Sequence, residues 1–283
     1  MEKAFALDET DARVYLELDQ LKKRLNVAVK ERWSDMEKHF DLVESRDDLY
    51  LEYVTLLNTL GEPEKALGLI KARKFHQWEG GEGKVAAQYL TALYQLAKAA
   101  VEKEDYAEAK ELLLRAVGEY PHNLGEGKLE SGQENNLYYL LGLVQEKLGE
   151  AKDAFESLTR ACCGESEPVG MMYYNDQPPE MIYYQGLAYR MLGEEEQAVR
   201  RFQKLVDYGR EHIRDDVKID YFAVSLPDLL IFEENLNERN RKHCLFMMSL
   251  GLKGLGRIDE AEKCAEELLA MDNAHQEIRV HDL

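Results

Sequence analysis

The sequence predicts an all-α fold in which helical hairpins stack into a single solenoid over residues 1–283, with enlarged loops between repeats. Three observations carry this. A phrase recurs, Leu-Gly, four residues, then Ala: Leu60-Gly61 to Ala66, Leu148-Gly149 to Ala154, Leu192-Gly193 to Ala198, and Leu255-Gly256 to Ala261. Apolar residues recur at the three-and-four spacing of a helix. No run alternates strictly enough to be read as a strand.

The elements follow in order. Asp11 to Leu25 carries Val14, Leu18, Leu21 and Leu25 on one helical stripe. The segment from Val27 to Val43 carries Trp33, Met36, Phe40 and Val43 on another. Asp47 to Leu60 is the first helix of a hairpin that ends near Arg73. At each Leu-Gly turn, glycine tolerates the left-handed backbone that ends a helix, and the following small Ala lets two helices approach closely. Glu104-Asp105-Tyr106 to Ala109 is a further copy, with Glu where the others have Gly. Tyr138, Leu141 and Gly142 hold the W-x-x-L-G spacing of a first helix, as do Ile182, Gly186 and Tyr189 in part. Ala109, Leu113, Ala116 and Pro121 follow the second-helix pattern to its terminal proline. The small residues Ala97, Gly142 and Gly186 each precede the helix-two Ala by the same interval. The chain therefore resembles the tetratricopeptide repeat, which implies a right-handed helical-hairpin solenoid of five to six hairpins.

Composition narrows the function classes. The net charge of -19 argues against a duplex nucleic-acid or anionic-membrane binder, since both need clustered Lys and Arg. Asp8, Glu9 and Asp11 interrupt the N-terminus too early for a secretory signal, and no stretch approaches the ~20 apolar residues of a membrane span. Cys162, Cys163, Cys244 and Cys264 contain no Cys-x-x-Cys pair and read as reduced thiols of a cytoplasmic protein. The histidines are scattered, so no metal site and no cofactor are expected.

The repeats are interrupted. Turn positions fall at 61, 104, 149, 193 and 256, so each unit exceeds the consensus of about 34 residues. The excess lies between the second helix of one hairpin and the first of the next. These loops hold Phe75 to Lys84, Pro121 to Asn136, Glu167 to Pro179, and an insertion near 208–240. The last contains Ser225-Leu226-Pro227-Asp228 and is expected to hold an extra helix near Leu229 to Asn235.

Gly-Glu-Gly-Lys occurs twice, at Gly81 to Lys84 and Gly125 to Lys128. The free N–H groups of the helix that follows could take an anion. The Walker phosphate pattern fails on detail, because Trp78 or His122 stands where its first glycine belongs and Val85 or Leu129 follows the lysine. Trp78 offers a flat apolar face suited to a pyranose, or else packs under its loop beside Phe75. Carboxylates are too numerous for any two to be paired as acid and base from sequence. The candidate ligand residues are therefore the polar and aromatic loop set: His76, Trp78, Glu79, Glu82, Lys84, Asn123, Glu126, Lys128, Glu134, Asn135, Tyr174, Asn175, Asp176, Asp220 and Tyr221.

The loop phrases Phe75-His76-Gln77-Trp78-Glu79-Gly80-Gly81-Glu82-Gly83-Lys84, Tyr173-Tyr174-Asn175-Asp176-Gln177-Pro178-Pro179 and Asp216-Val217-Lys218-Ile219-Asp220-Tyr221-Phe222 give a second resemblance. They look like the C-terminal tetratricopeptide region of large bacterial proteins that carry an N-terminal β-sandwich domain of unknown function with a carbohydrate-related look. That resemblance makes the chain readable as a piece of a longer protein. The expected function is a non-catalytic binding or scaffold module for a protein or peptide partner, which includes an N-terminal β-rich domain of its own. The alternative is a carbohydrate-binding or carbohydrate-active domain with its glycan site in the loops.

Overall fold

The computed structural model describes residues 1–78, 80–128, 132–170, 178–218 and 235–281. Among them every regular element is helical. The chain forms two compact units. The first comprises Met1–Leu96, Glu119–Lys128 and the last segment from Asp272. The second comprises Ala97–Gly118 and Leu129–Met271.

The first unit begins with α1 (Glu2–Phe5), α2 (Ala12–Arg24), α3 (Val29–Lys38), α4 (Phe40–Ser45), α5 (Asp47–Thr59) and α6 (Pro63–Ala72). The Asp11 side chain accepts from the Arg13 and Val14 amides and starts α2. The stripe from Val27 to Val43 is broken at His39 into α3 and α4. His39 leaves helical geometry, and its ring packs against those of Phe5 and Tyr15 at centroid distances of 5.3 and 4.9 Å. The apolar stripe survives the break, with Met36 and Val43 fully buried. The unit also holds α7 (Lys84–Glu102) through Leu96, a 3-10 turn at His122–Leu124, and α15 (Gln276–Val280).

A charge cluster sits among α2, α3 and α5. The Arg32 guanidinium, with 0 % side-chain exposure, donates Nε to Asp19 Oδ1 (3.0 Å) and Nη2 to Asp19 Oδ2 (2.6 Å) and Glu52 Oε1 (2.7 Å). Lys23 Nζ adds a contact to Glu52 at 3.4 Å. The fork geometry of guanidinium on carboxylate is what makes burial of these charges tolerable. Burial works against the Glu52 carboxylate, but Lys23 and Arg32 outweigh it and hold its pKa down to about 2.

The second unit contains the rest of α7, then α8 (Tyr106–Val117), α9 (Asn135–Lys147), α10 (Ala151–Ala161), α11 (Pro179–Met191), α12 (Glu195–His212), α13 (Leu236–Gly254) and α14 (Ile258–Met271). α9, α11 and α13 pack on their second helices α10, α12 and α14, and α9 packs on α11 and α11 on α13. This is a helical-hairpin solenoid. Its close contacts depend on glycine. A Cβ at Gly142 would sit 2.7 Å from the Leu158 side chain. One at Gly186 or Gly254 would enter the Phe202 ring, at 2.4 and 2.2 Å. Phe202 on α12 is thus held between α11 and α13 with no exposure. The long connection is shorter than the sequence suggested: α12 continues to His212 and α13 begins at Leu236. The expected helix near Leu229 to Asn235 falls almost wholly outside the described residues. Asn235 itself is described, and it caps α13 through the Asn237 and Glu238 amides.

Among the described residues, five hairpin turns share one backbone form. Gly61, Glu104, Gly149, Gly193 and Gly256 have φ of 76, 58, 78, 81 and 74°. Each donates its N–H to the carbonyl three residues back, and the next residue donates to the carbonyl five back, at 2.9–3.2 Å. This is the Schellman helix end. Asn26, with φ 56°, donates its N–H to the Lys23 carbonyl, Val27 donates to the Lys22 carbonyl, and the pair forms a sixth such turn between α2 and α3.

A non-glycine residue in the left-handed region costs ~1–2 kcal/mol, and glycine returns part of that in the unfolded chain. Glu104→Gly is therefore expected to raise stability by about 0.5–1 kcal/mol in a denaturant titration, whereas Gly149→Ala should lower it by ~1 kcal/mol. Stability also depends on pH through Glu52. Glu52 ionises more readily in the folded protein than at its ordinary value of 4.5, so the unfolded chain binds more protons over that range. Its stabilising contribution is complete above about pH 4.5 and is lost as pH falls toward about 2. Acid-unfolding curves of Glu52→Gln should be flatter than wild type across that window.

Candidate functional site

The loops that follow α6 and α8 lie together in the first unit, joined by backbone and side-chain bonds. Phe75 N–H donates to the Asn123 carbonyl at 2.8 Å. The Asn123 side-chain amide donates to the carbonyls of Ile70 (2.8 Å) and Arg73 (2.9 Å), satisfying the open C-terminus of α6. Gly125, at φ 77°, lies so close to the Phe75 carbonyl that a Cβ would approach it to 2.7 Å. The second Gly-Glu-Gly-Lys phrase thereby meets the loop that carries the first.

The meeting places Glu126 at the N-terminus of α7. Its two carboxylate oxygens accept from the Gly83 N–H (2.7 Å) and the Ala86 N–H (2.8 Å). The free N–H groups at this helix start, which could take an anion, meet the chain's own carboxylate. The arrangement satisfies free backbone donors and places negative charge at the positive end of the helix dipole.

Other candidates serve similar ends. The His76 N–H and ring Nδ1 both approach Asp47 Oδ2, at 2.9 and 3.2 Å, while Arg73 Nε reaches Asp47 Oδ1 at 2.5 Å. Burial alone would push the Asp47 carboxyl upward, but the His76 amide and the Arg73 guanidinium more than offset it and hold it below its usual range. The His76 side chain is otherwise open to solvent, at 76 % exposure. Trp78 is half-buried and lies over Gly81, whose Cβ would fall 2.2 Å from the indole. Glu82 and Lys84 are exposed, and Lys128 is half-buried.

Glu134 and Asn135 belong to the second unit. Both are buried. The Asn135 amide donates to the Ala161 (2.9 Å) and Cys163 (2.7 Å) carbonyls and closes the end of α10. Glu79, Tyr174, Asn175, Asp176, Asp220 and Tyr221 lie outside the described residues. His76, Trp78, Glu82, Lys84, Asn123, Glu126 and Lys128 therefore share the first unit's two loops, and the polar contacts described for these loops run within the unit itself.

Sequence reasoning did not single out Asp47 as an anchor, nor Asn240, whose amide donates to the His212 carbonyl at 2.7 Å and holds the end of α12. A usable signal exists. Asp47, Asn135 and Asn240 each stand in the first turns of a first helix, where a short polar side chain can reach a neighbouring helix end. Among the described residues, no group of three or more His, Cys, Asp or Glu is placed to hold a metal ion, and no helix is long and apolar enough to cross a membrane.

Residues 91–123 and 180–208 match the family model of the tetratricopeptide repeat. These two stretches of the chain are similar to the tetratricopeptide repeat. Each matched stretch spans a helix, its left-handed turn and the next helix, around Glu104 and Gly193. Among solved structures, MamA is similar at 19 % identity and a TM-score of 0.26, over 76 % of this chain and 91 % of MamA. YrrB, described as a TPR protein with an unusual peptide-binding site, is similar at 17 % identity and a TM-score of 0.30, over 86 % of this chain and 95 % of YrrB.

The loop geometry yields a direct expectation. Glu126→Ala removes the acceptor of two backbone N–H groups, so it should lower stability by about 1–2 kcal/mol. Glu126→Gln, which keeps one acceptor oxygen and loses the charge, should fall between. Urea unfolding of both variants checks the order, and amide exchange at Gly83 and Ala86 should rise in each.

Proposed function

We propose that this protein is a non-catalytic binding module that presents helical-hairpin surfaces to a protein or peptide partner. The observation that carries the reading is the repeated rigid turn together with the two matched tetratricopeptide stretches. Arrays of this kind work by offering an extended surface, not a reacting centre. Turns fixed by paired backbone bonds leave little conformational freedom to lose on binding, which lowers the cost of association. The loop contacts support the same reading. Glu126, Asn123 and Asn135 are engaged in closing helix ends, so these loops act first as braces. The exposed side chains of His76 and Glu82 and the half-buried Trp78 add to the rim that a partner would meet. A β-sandwich domain of the sort found ahead of similar repeats in large bacterial proteins is one partner of the required kind. Four free thiols fit a reducing compartment such as the cytoplasm.

The test is a peptide-library selection against the immobilised full chain, run beside a glycan array. The reading expects selected peptides with dissociation constants on the order of micromolar and amide protection mapping to helix faces. Recovery of no peptide above background, together with saturable binding of a pyranose-containing glycan lost in Trp78→Ala, would replace it with a carbohydrate site.

A further inference from the structure

The last described segment of the chain returns to the first unit and lies on α5 and α7 in an unusual way. Asn273 anchors it at the Asn26 turn. The Asn273 N–H donates to Asn26 Oδ1 (2.8 Å), its side-chain amide donates to the Asn26 carbonyl (2.7 Å), and its Oδ1 accepts from the Val29 N–H at the start of α3 (3.0 Å). Three residues on, Gln276 is 8 % exposed and enters a polar cluster. Its Nε2 donates to the Thr55 carbonyl (3.1 Å), Thr59 Oγ1 (3.1 Å) and Gln88 Oε1 (3.2 Å), and its Oε1 accepts from Gln88 Nε2 (2.9 Å). Ile278 and Val280 are buried beyond it, and the His281 ring lies 5.7 Å from that of Tyr94.

The segment combines two kinds of contact: the buried aliphatic side chains of Ile278 and Val280, and a polar patch in which Thr55, Thr59 and Gln88, with Asn58 beside them, receive Gln276. Each neutral hydrogen bond of such a cluster contributes only ~0.5–1.5 kcal/mol net, because water offers the same groups similar bonds when the segment leaves. The polar part of the contact is thus specific in geometry and modest in strength. The cluster is also incomplete. Asn58 is 1 % exposed and donates to the Gln88 carbonyl (3.0 Å) and Gln88 Oε1 (2.9 Å), yet its own Oδ1 has no hydrogen-bond partner. A buried acceptor left unmet costs ~1–3 kcal/mol, and a ligand that brings one more donor would recover it.

We infer that the α5–α7 face of the first unit is a peptide-docking surface, and that Asn273–His281 occupies it as a built-in ligand. The external ligand it excludes is a peptide with a side-chain amide followed two and four residues later by aliphatic side chains, as Gln276, Ile278 and Val280 are spaced. This rests on the peptide-binding function proposed above and adds its surface, its ligand chemistry and a competitor in the same chain.

The test uses the full chain and a fluorescein-labelled peptide of residues 271–281. Gln276→Ala with Ile278→Asp weakens the built-in ligand without touching the receiving face. If the bound segment is displaced in that variant, the fraction of open sites rises, and apparent affinity for the peptide rises with it, by about ten-fold or more over wild type. A peptide carrying the same two changes should bind neither protein. A folded variant, judged by circular dichroism, that binds the wild-type peptide no better than the parent overturns the inference. Hydrogen exchange on the wild-type chain decides independently of the variant's folding. Amides 276–281 should exchange at least ~10-fold faster than those of α5, as local opening requires. Equal protection of the two overturns it. So does a concentration-dependent wild-type dimer that the double variant abolishes, since the segment is then exchanged between copies. Peptides selected from the library that protect other helices would leave the binding function standing while removing this surface from it.

Discussion

A helix ended by one residue in the left-handed conformation is the constraint from which the hairpins follow. The turn takes up two otherwise unpaired carbonyls and fixes where the next helix must start. In the five later turns the residue five places on is Ala66, Ala109, Ala154, Ala198 or Ala261, each buried against its partner helix. Small residues follow from the close approach the turn imposes, and the glycines around Phe202 follow from it again. Glu104 shows that the backbone form is prior to the residue. It adopts φ 58° despite its side chain, because the same two hydrogen bonds and the Asp105 cap on the Glu108 amide hold the chain there.

This logic decides what could be read from the sequence. Four turns were legible because Leu-Gly and Ala recur at fixed spacing, and the Glu104 copy because its neighbours kept register. The Asn26 turn was not. Asn enters the left-handed region less freely than Gly, and the position five residues on is Glu31, so no phrase marks it. The break at His39 was hidden for a related reason: an apolar stripe can continue through a bend. The Arg32 cluster was hidden because a charge on a helix looks like a solvated face until its partners, 13 and 20 residues away, are known.

In the loops, the sequence names polar groups that need partners without naming those partners. Glycine ahead of an apolar helix does mark a helix start with open N–H donors. The anion that meets them is Glu126, 40 and 43 residues farther along the chain. Asn123 and Asn135 were singled out as polar groups able to hold a ligand, and each holds the carbonyls at a helix end. Composition states that such a group needs a partner. It does not say whether the partner is water, a ligand or the chain itself, because that depends on loops brought together by helices elsewhere.

The polar contacts and the apolar core do different work. Burial of residues such as Leu49, Leu57, Ile70 and Phe75 supplies ~1.5–3 kcal/mol each and is largely indifferent to small shifts of register. Hydrogen bonds contribute less and tolerate no such shift. A single amide such as Asn123 reaching two carbonyls fixes one loop against one helix end to within a fraction of an ångström. The acidic composition fits the same division. Glu52, Asp19, Asp47 and Glu126 are engaged with guanidinium groups or backbone amides, where ionisation strengthens the contact. Charge in this chain is therefore not only a solvated coat on the helices: a minority of its carboxylates set how helices and loops of the first unit are joined.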